Sequence, residues 1–263
     1  MISPPKYNLD KIRFATDQPT FEKAVELYEN GKVTQFKEEI SSYSAVVVGT
    51  KPYRVFVEAR QFTLGHCDCY LGQNDRLCKH MVAVAIYAVM GGKPLAPADK
   101  QVVSNPTCSG RLGELSKGEL AATKKSITSA MRYIKPYNGP SRLWFSYQNS
   151  LSEGCHRLSA IVAELPVSEQ TAALLVKMLL RLDKKLCTSG VDDSDGTVGG
   201  LIEECVRVLK EYEKLDPACA KAFQELKDKE TCFGWEEPLV QITVIGKCTN
   251  KKESRHNVCV STL

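Results

Sequence analysis

The chain of 263 residues lacks any apolar run long enough to cross a bilayer. Its longest, Met81 to Met90, has ten residues, whereas a spanning helix needs about 20. The opening Met1-Ile2-Ser3-Pro4-Pro5 has no basic stretch followed by an apolar one, so no signal peptide is expected. A cytoplasmic protein with no membrane partner is the expectation. Histidine is scarce, at four residues, which leaves little material for acid–base chemistry near neutral pH. There is no phosphate-binding Gly-rich loop, no Gly-x-Ser-x-Gly elbow and no His-Glu-x-x-His. Nothing in the sequence therefore supports an enzyme, and none is expected. Charge of one sign is also modest. The formal net charge of +4 permits nucleic-acid binding without demanding it.

What the chain has in quantity is cysteine, eleven residues. An odd count in a chain without an export signal argues for thiols and metal ligands over a disulfide framework. Cys187, Cys205, Cys219 and Cys232 are spread through the second half and read as small core residues. Hydrophobic residues make up 43% and charged residues 25%, the balance of a globular protein with a sizeable core.

The pattern along the chain predicts an α+β protein: a small N-terminal module of strands and helix followed by an α-helical bundle. Thr20 is a candidate cap for a helix over Phe21 to Tyr28, stopped at Gly31. Strands are expected over Val33 to Ile40, Ser44 to Val48 and Tyr53 to Ala59, with Gly49-Thr50-Lys51-Pro52 as a turn. A helix follows from about Cys78 to Met90, ended by Gly91-Gly92. Residues 1–93 are assigned to this module, and 94–110, punctuated by Pro94, Pro97 and Pro106, to a linker. Residues 111–237 read as the bundle, with helices near 116–134, 141–165, 168–186, 197–212 and 216–229. Ser168 is a cap, and Asp216 with Pro217 forms a cap and first turn. Leu174, Leu175, Met178, Leu179 and Leu182 supply an apolar face. Residues 238–263 are a tail that begins strand-like at Ile242 and is expected to be partly disordered.

The sharpest signal is Cys67-Asp68-Cys69, eight residues, then Cys78-Lys79-His80. Residues two apart in an extended segment face the same side, so Cys67 and Cys69 can reach one ion. Cys78 and His80 can do so where the chain enters a helix. Three thiolates and one imidazole fill a tetrahedral zinc shell and leave no position for water or substrate, so Zn2+ is expected in a structural role. His66 could compete as a ligand, but neighbours in a strand point to opposite faces.

This Cys-x-Cys…Cys-x-His pattern, with a helix and strands before it and Cys78-Lys79-His80-Met81-Val82-Ala83 opening a helix after it, resembles the SWIM zinc finger over roughly residues 20–90. The resemblance implies a ββα zinc module that contacts DNA or other proteins. The helical part resembles, more loosely, regions that accompany the module in some prokaryotic proteins.

Other patterns are weaker. Residues 111–142 carry Arg111, Lys117, Lys124, Lys125, Arg132, Lys135 and Arg142 against Glu114 and Glu119, with Tyr133 and Tyr137 interleaved and Trp144 and Phe145 following. Lys117, Lys124, Lys125 and Arg132 are candidate phosphate contacts, although a solvated helix face has the same composition. Asp192-Asp193-Ser194-Asp195-Gly196 fails the EF-hand pattern and reads as a helix-capping loop. Cys155-His156 and Cys248, His256 and Cys259 lack the spacing of a catalytic pair or a second metal site. The expected function is a module binding nucleic acid, DNA favoured, or a protein. The alternative is an accessory subunit of a larger DNA-processing machine with no nucleic-acid contact of its own.

Overall fold

The computed structural model describes residues 4–101, 105–140 and 143–243. They form two compact units. One comprises Met1–Ser104 with Tyr137–Arg157, the other Asn105–Pro136 with Leu158–Leu263.

The first unit is α+β. Two helices, α1 (Leu9–Phe14) and α2 (Gln18–Glu29), lead into an antiparallel sheet of β1 (Val33–Glu38), β2 (Ser42–Val48), β3 (Pro52–Glu58) and β4 (His66–Cys67), in the order β1-β2-β3-β4. A short helix α3 (Tyr70–Gln73) and the helix α4 (Lys79–Met90) follow. The start of α2 differs from expectation. Its N-cap is Asp17, whose carboxylate accepts the Thr20 N–H at 2.9 Å, with Pro19 in the first turn. Thr20 is therefore inside the helix, three residues past the cap.

Helix α4 is the centre of this unit. Residues His80 to Ile86 are all buried; a helix apolar on every side must be covered on every side. The sheet covers one flank, and α1 and α2 cover others. Gly91 ends it in the left-handed conformation at φ 60°, which glycine adopts without a Cβ penalty. The first part of α6 (Trp144–Glu164) joins the unit at α1. There the His156 Nδ1–H donates to the Phe14 carbonyl at 2.9 Å, and the Arg13 and Arg157 guanidiniums lie over the Phe14 ring.

The second unit is helical and strongly signposted. Helix α5 (Lys117–Ala130) begins with a full capping box between Ser116 and Glu119. Helix α7 (Glu169–Thr188) is capped by Ser168 and buries Leu174, Leu175, Met178, Leu179 and Leu182 as expected. Helix α8 (Thr197–Leu215) is capped from a distance: the half-buried Asp193 carboxylate accepts the N–H groups of Val198 and Gly199 at 2.7 and 2.8 Å. This is the capping role read for the acidic loop. Asp216 caps a 3-10 helix over Pro217–Leu226, tighter than the α-helix expected there.

Two further expectations fail in this unit. Residues 237–243 are helical where a strand start was expected, and they bury Leu239; this apolar anchor outweighs the β-propensity of Ile242 and Thr243. Cys187 and Cys232 are exposed and joined as a disulfide, not packed as core thiols, whereas Cys205 and Cys219 are fully buried. Cys248, His256, Cys259 and Arg142 lie outside the described residues.

Candidate metal centre and basic surface

Four segments bring the ligand candidates together. Cys67 ends the edge strand β4, placed opposite Val55 of β3. Cys69 is the N-cap of α3, and Cys78 the N-cap of α4. His80 sits in the first turn of α4. The donor atoms of all four lie within 4.8 Å of one another, and all four residues are buried. The Cys67 and Cys78 sulfurs are 3.6 and 3.9 Å from His80 Nδ1. Around a tetrahedral ion with bonds of zinc's length, sulfur and nitrogen would sit about 3.5 Å apart and two sulfurs about 3.8 Å. The two sulfur–nitrogen distances are close to those of such a shell, and the donor types suit a small tetrahedral cation.

The surroundings favour negative sulfur. The Cys69 N–H points at the Cys67 sulfur at 3.5 Å, and the Gly72 N–H at the Cys69 sulfur at 3.4 Å. The Cys67 thiol donates to Cys78 and, against the opposing effect of burial, draws the Cys78 thiol far below its ordinary range; the His80 ring and the Met81 N–H add to this. The same pairing, with burial, pushes Cys67 up. Of these two sulfurs, Cys78 carries negative charge more readily and Cys67 keeps the proton.

Packing seals the imidazole. Tyr53 of β3 stacks on it at 4.4 Å, and a Cβ on Gly49 would meet His80 Nε2 at 3.2 Å. Nε2 is buried and has no hydrogen-bond partner, so Nδ1 is the nitrogen that faces the sulfurs. Two glycines make the cradle. A Cβ on Gly72 would fall 2.4 Å from the Cys67 carbonyl oxygen, and one on Gly65 would fall 2.4 Å from that of Phe56. The pattern of cysteines and histidine does not reveal Gly49, Tyr53, Gly65 or Gly72; only the close approach of the chains does. Asp68, between the first two cysteines, takes the Arg54 guanidinium of β3 at 2.9 Å. His66 points away from the cluster, exposed, with Nε2 3.8 Å from the Asp68 carboxylate.

The candidate phosphate contacts belong to the other unit. Lys117, Lys124, Lys125 and Arg132 are all exposed. On a helix, Lys117, Lys124 and Thr128 fall on one face, and Arg181 of α7 reaches that face by donating to Thr128 Oγ1 at 3.3 Å. Arg181 was not visible as part of the patch, since it lies 53 residues further on. The aromatic residues near in sequence divide differently. Tyr133 is half-buried in the second unit, while Tyr137, Trp144 and Phe145 belong to the first. Phe145 there lies against the Arg76 guanidinium at 5.9 Å. Cys155 is buried, and His156 spends its Nδ1 on the Phe14 carbonyl.

No helix among the described residues is long and apolar enough to cross a membrane. No curated protein and no solved structure matches the chain. The family model of the SWIM zinc finger matches residues 53–88, from the strand that stacks Tyr53 on the imidazole to the helix that carries it. That segment, with its Cys-x-Cys…Cys-x-His donors gathered and buried, is a SWIM zinc-finger module.

Proposed function

We propose that this chain is a zinc-stabilised binding protein, not an enzyme, and that its ligand is nucleic acid, DNA favoured. One Zn2+ would be held by Cys67, Cys69, Cys78 and His80 in a closed shell, where it supplies positive charge and a cross-link between β4, α3 and α4. Lys117, Lys124, Lys125 and Arg132 would meet phosphates, with Arg181 beside them. The observation that carries the reading is the exposure of all four cations, on and just beyond a helix whose single acidic residue, Glu119, is turned to its own capping box.

Binding of a labelled duplex, followed by fluorescence anisotropy over a range of salt, tests this. Affinity should fall steeply with salt. Lys124→Glu with Lys125→Glu should lower affinity by at least tenfold and reduce the salt slope by about 2. Unchanged affinity in that variant would refute the assigned contacts.

Exposed Ile40 and Tyr70, at 80% and 81%, favour a second reading. The first unit would dock a protein of a larger DNA-processing machine, with no nucleic-acid contact of its own. Capture of such a partner would then survive nuclease treatment and the charge reversal at Lys124 and Lys125.

A further inference from the structure

Seven of the cysteines among the described residues are free thiols. Three of them face the metal site, and burial pushes Cys205 and Cys219 up to about 12. Against that background one pair is different. Cys187, in the last turn of α7, and Cys232, beyond the 3-10 helix, are both exposed and bonded to each other across 45 residues that include all of α8.

The bond sits where the C-terminal segment is fastened to α7. Asp183, one turn before Cys187, accepts the Cys232 N–H at 2.9 Å and the Trp235 Nε1–H at 3.0 Å. Trp235 and Leu239 are buried beyond it. The residues next to the two cysteines, Leu186 and Phe233, line one concavity of about 590 Å³ together with Val191 and Gly199. Phe233 is 46% exposed, and its ring passes 4.0 Å from where a Cβ on Gly199 would stand. Two bonded sulfurs leave no room for an ion between them, so the nearby Asp183 carboxylate does not make this a second metal site.

We propose that Cys187 and Cys232 form a reversible thiol–disulfide pair that locks residues 232–243 onto α7 and holds Phe233 against the glycines at the start of α8. Exposure makes both sulfurs reachable by exchange, which separates such a pair from a buried structural bridge. The oxidant is a low-molecular-weight disulfide. The Cys187 thiolate attacks one of its sulfurs and expels one thiolate, leaving a mixed disulfide. The Cys232 thiolate then attacks the Cys187 sulfur and expels the second. Two protein thiols and one disulfide thus become one protein disulfide and two small thiols, with two electrons transferred. Reduction runs the same steps backwards. It leaves the segment held by the Asp183 hydrogen bonds and by Trp235 and Leu239 alone, and it restores the chain entropy that the closed loop had removed from the unfolded state.

The full-length, zinc-loaded chain should be equilibrated with mixtures of reduced and oxidised glutathione, quenched in acid, alkylated and read by peptide mass spectrometry. Hydrogen exchange and thermal unfolding are run in parallel. The peptide linking Cys187 to Cys232 should appear and vanish as the glutathione ratio changes, while Cys67, Cys69 and Cys78 stay reduced and are alkylated at every ratio. Reduction should speed exchange in residues 229–243 and in the first turn of α8 by about tenfold or more, and lower the Tm of the second unit by about 5–10 °C. Cys232→Ser, and separately Cys187→Ser, should behave as the reduced chain at every ratio. Alkylation of both sulfurs at all ratios would overturn the proposal. So would a bond that forms but leaves exchange and Tm unchanged.

Discussion

The two units differ in how their central helices begin, α4 in the first and α7 in the second. In the second, α5, α7 and α8 each open on a side chain that accepts free N–H groups: Ser116, Ser168 and Asp193. In the first, Asn8 and Asp17 cap α1 and α2 in the same way, but α4 opens on Cys78, which makes no side-chain capping bond and whose sulfur faces the other three donors instead. From Met81 to Ile86 helix α4 is also apolar and buried on every side, so this stretch has no solvent-facing polar side to fix its orientation. The second unit is specified by local polar signals and an amphipathic core. The first depends on four donors from separate segments meeting at one point. We therefore expect a metal ion to be part of the fold of the first unit and not of the second.

The largest test of this contrast is loss of a ligand. Cys78→Ser or His80→Ala should release the metal and unfold the first unit, because structural zinc binding in small modules is worth about 10–16 kcal/mol and a whole domain about 5–15. Hydrogen exchange resolved along the sequence should show protection lost over β3, β4 and α4 but kept in α7 and α8. Equal loss in both units would break the comparison.

Next in size is Gly72→Ala, which leaves every ligand in place. Its Cβ would collide with the Cys67 carbonyl, so the loop must shift. We expect about 3 kcal/mol of destabilisation, with weaker metal retention under chelator competition. Wild-type retention would mean that the cradle has more room than the close approach implies.

A smaller effect is expected on the other side. Asp193→Ala removes the acceptor for two N–H groups of α8 and should cost the second unit about 1–2 kcal/mol. Denaturant unfolding, followed with and without chelator, should give the same loss in both conditions if the unit stands apart from the metal.

The smallest concerns pH. Burial holds the His156 imidazole below its ordinary value, despite the Phe14 carbonyl. A depressed folded pKa contributes stability above the unfolded value, about 6.5, and that stability is lost as pH falls through the folded one. The first unit should weaken on acidification in that window. His156→Gln, which can still donate to Phe14, should be less sensitive than wild type to the same change. Identical pH profiles would show that the histidine is not responsible.

Much of this was legible because it rests on short-range chemistry. Gly91 as a helix stop, Ser168 as a cap, Asp216 before Pro217, and the alternation in β3 each act within a few residues. The donor spacing around Cys67 and Cys78 is local too, and it located the cluster before any fold was known. The cap of α2 was equally local but was misplaced: Asp17, followed by Pro19, has the stronger claim over Thr20. The rest required contacts between distant residues. The Cys187–Cys232 bond spans 45 residues, Arg181 reaches back to α5, and the passage of residues 137–157 into the first unit leaves no compositional mark. Gly65 and Gly72 are ordinary glycines until two backbones approach them.

Whether a bound metal ion holds the first unit together is tested most directly by elemental analysis of the purified full chain joined to hydrogen exchange before and after chelation. We predict one zinc per chain, and loss of exchange protection over residues 53–88 when it is removed, with α7 and α8 unchanged. A folded chain without metal, or full protection after the metal is stripped, would contradict it.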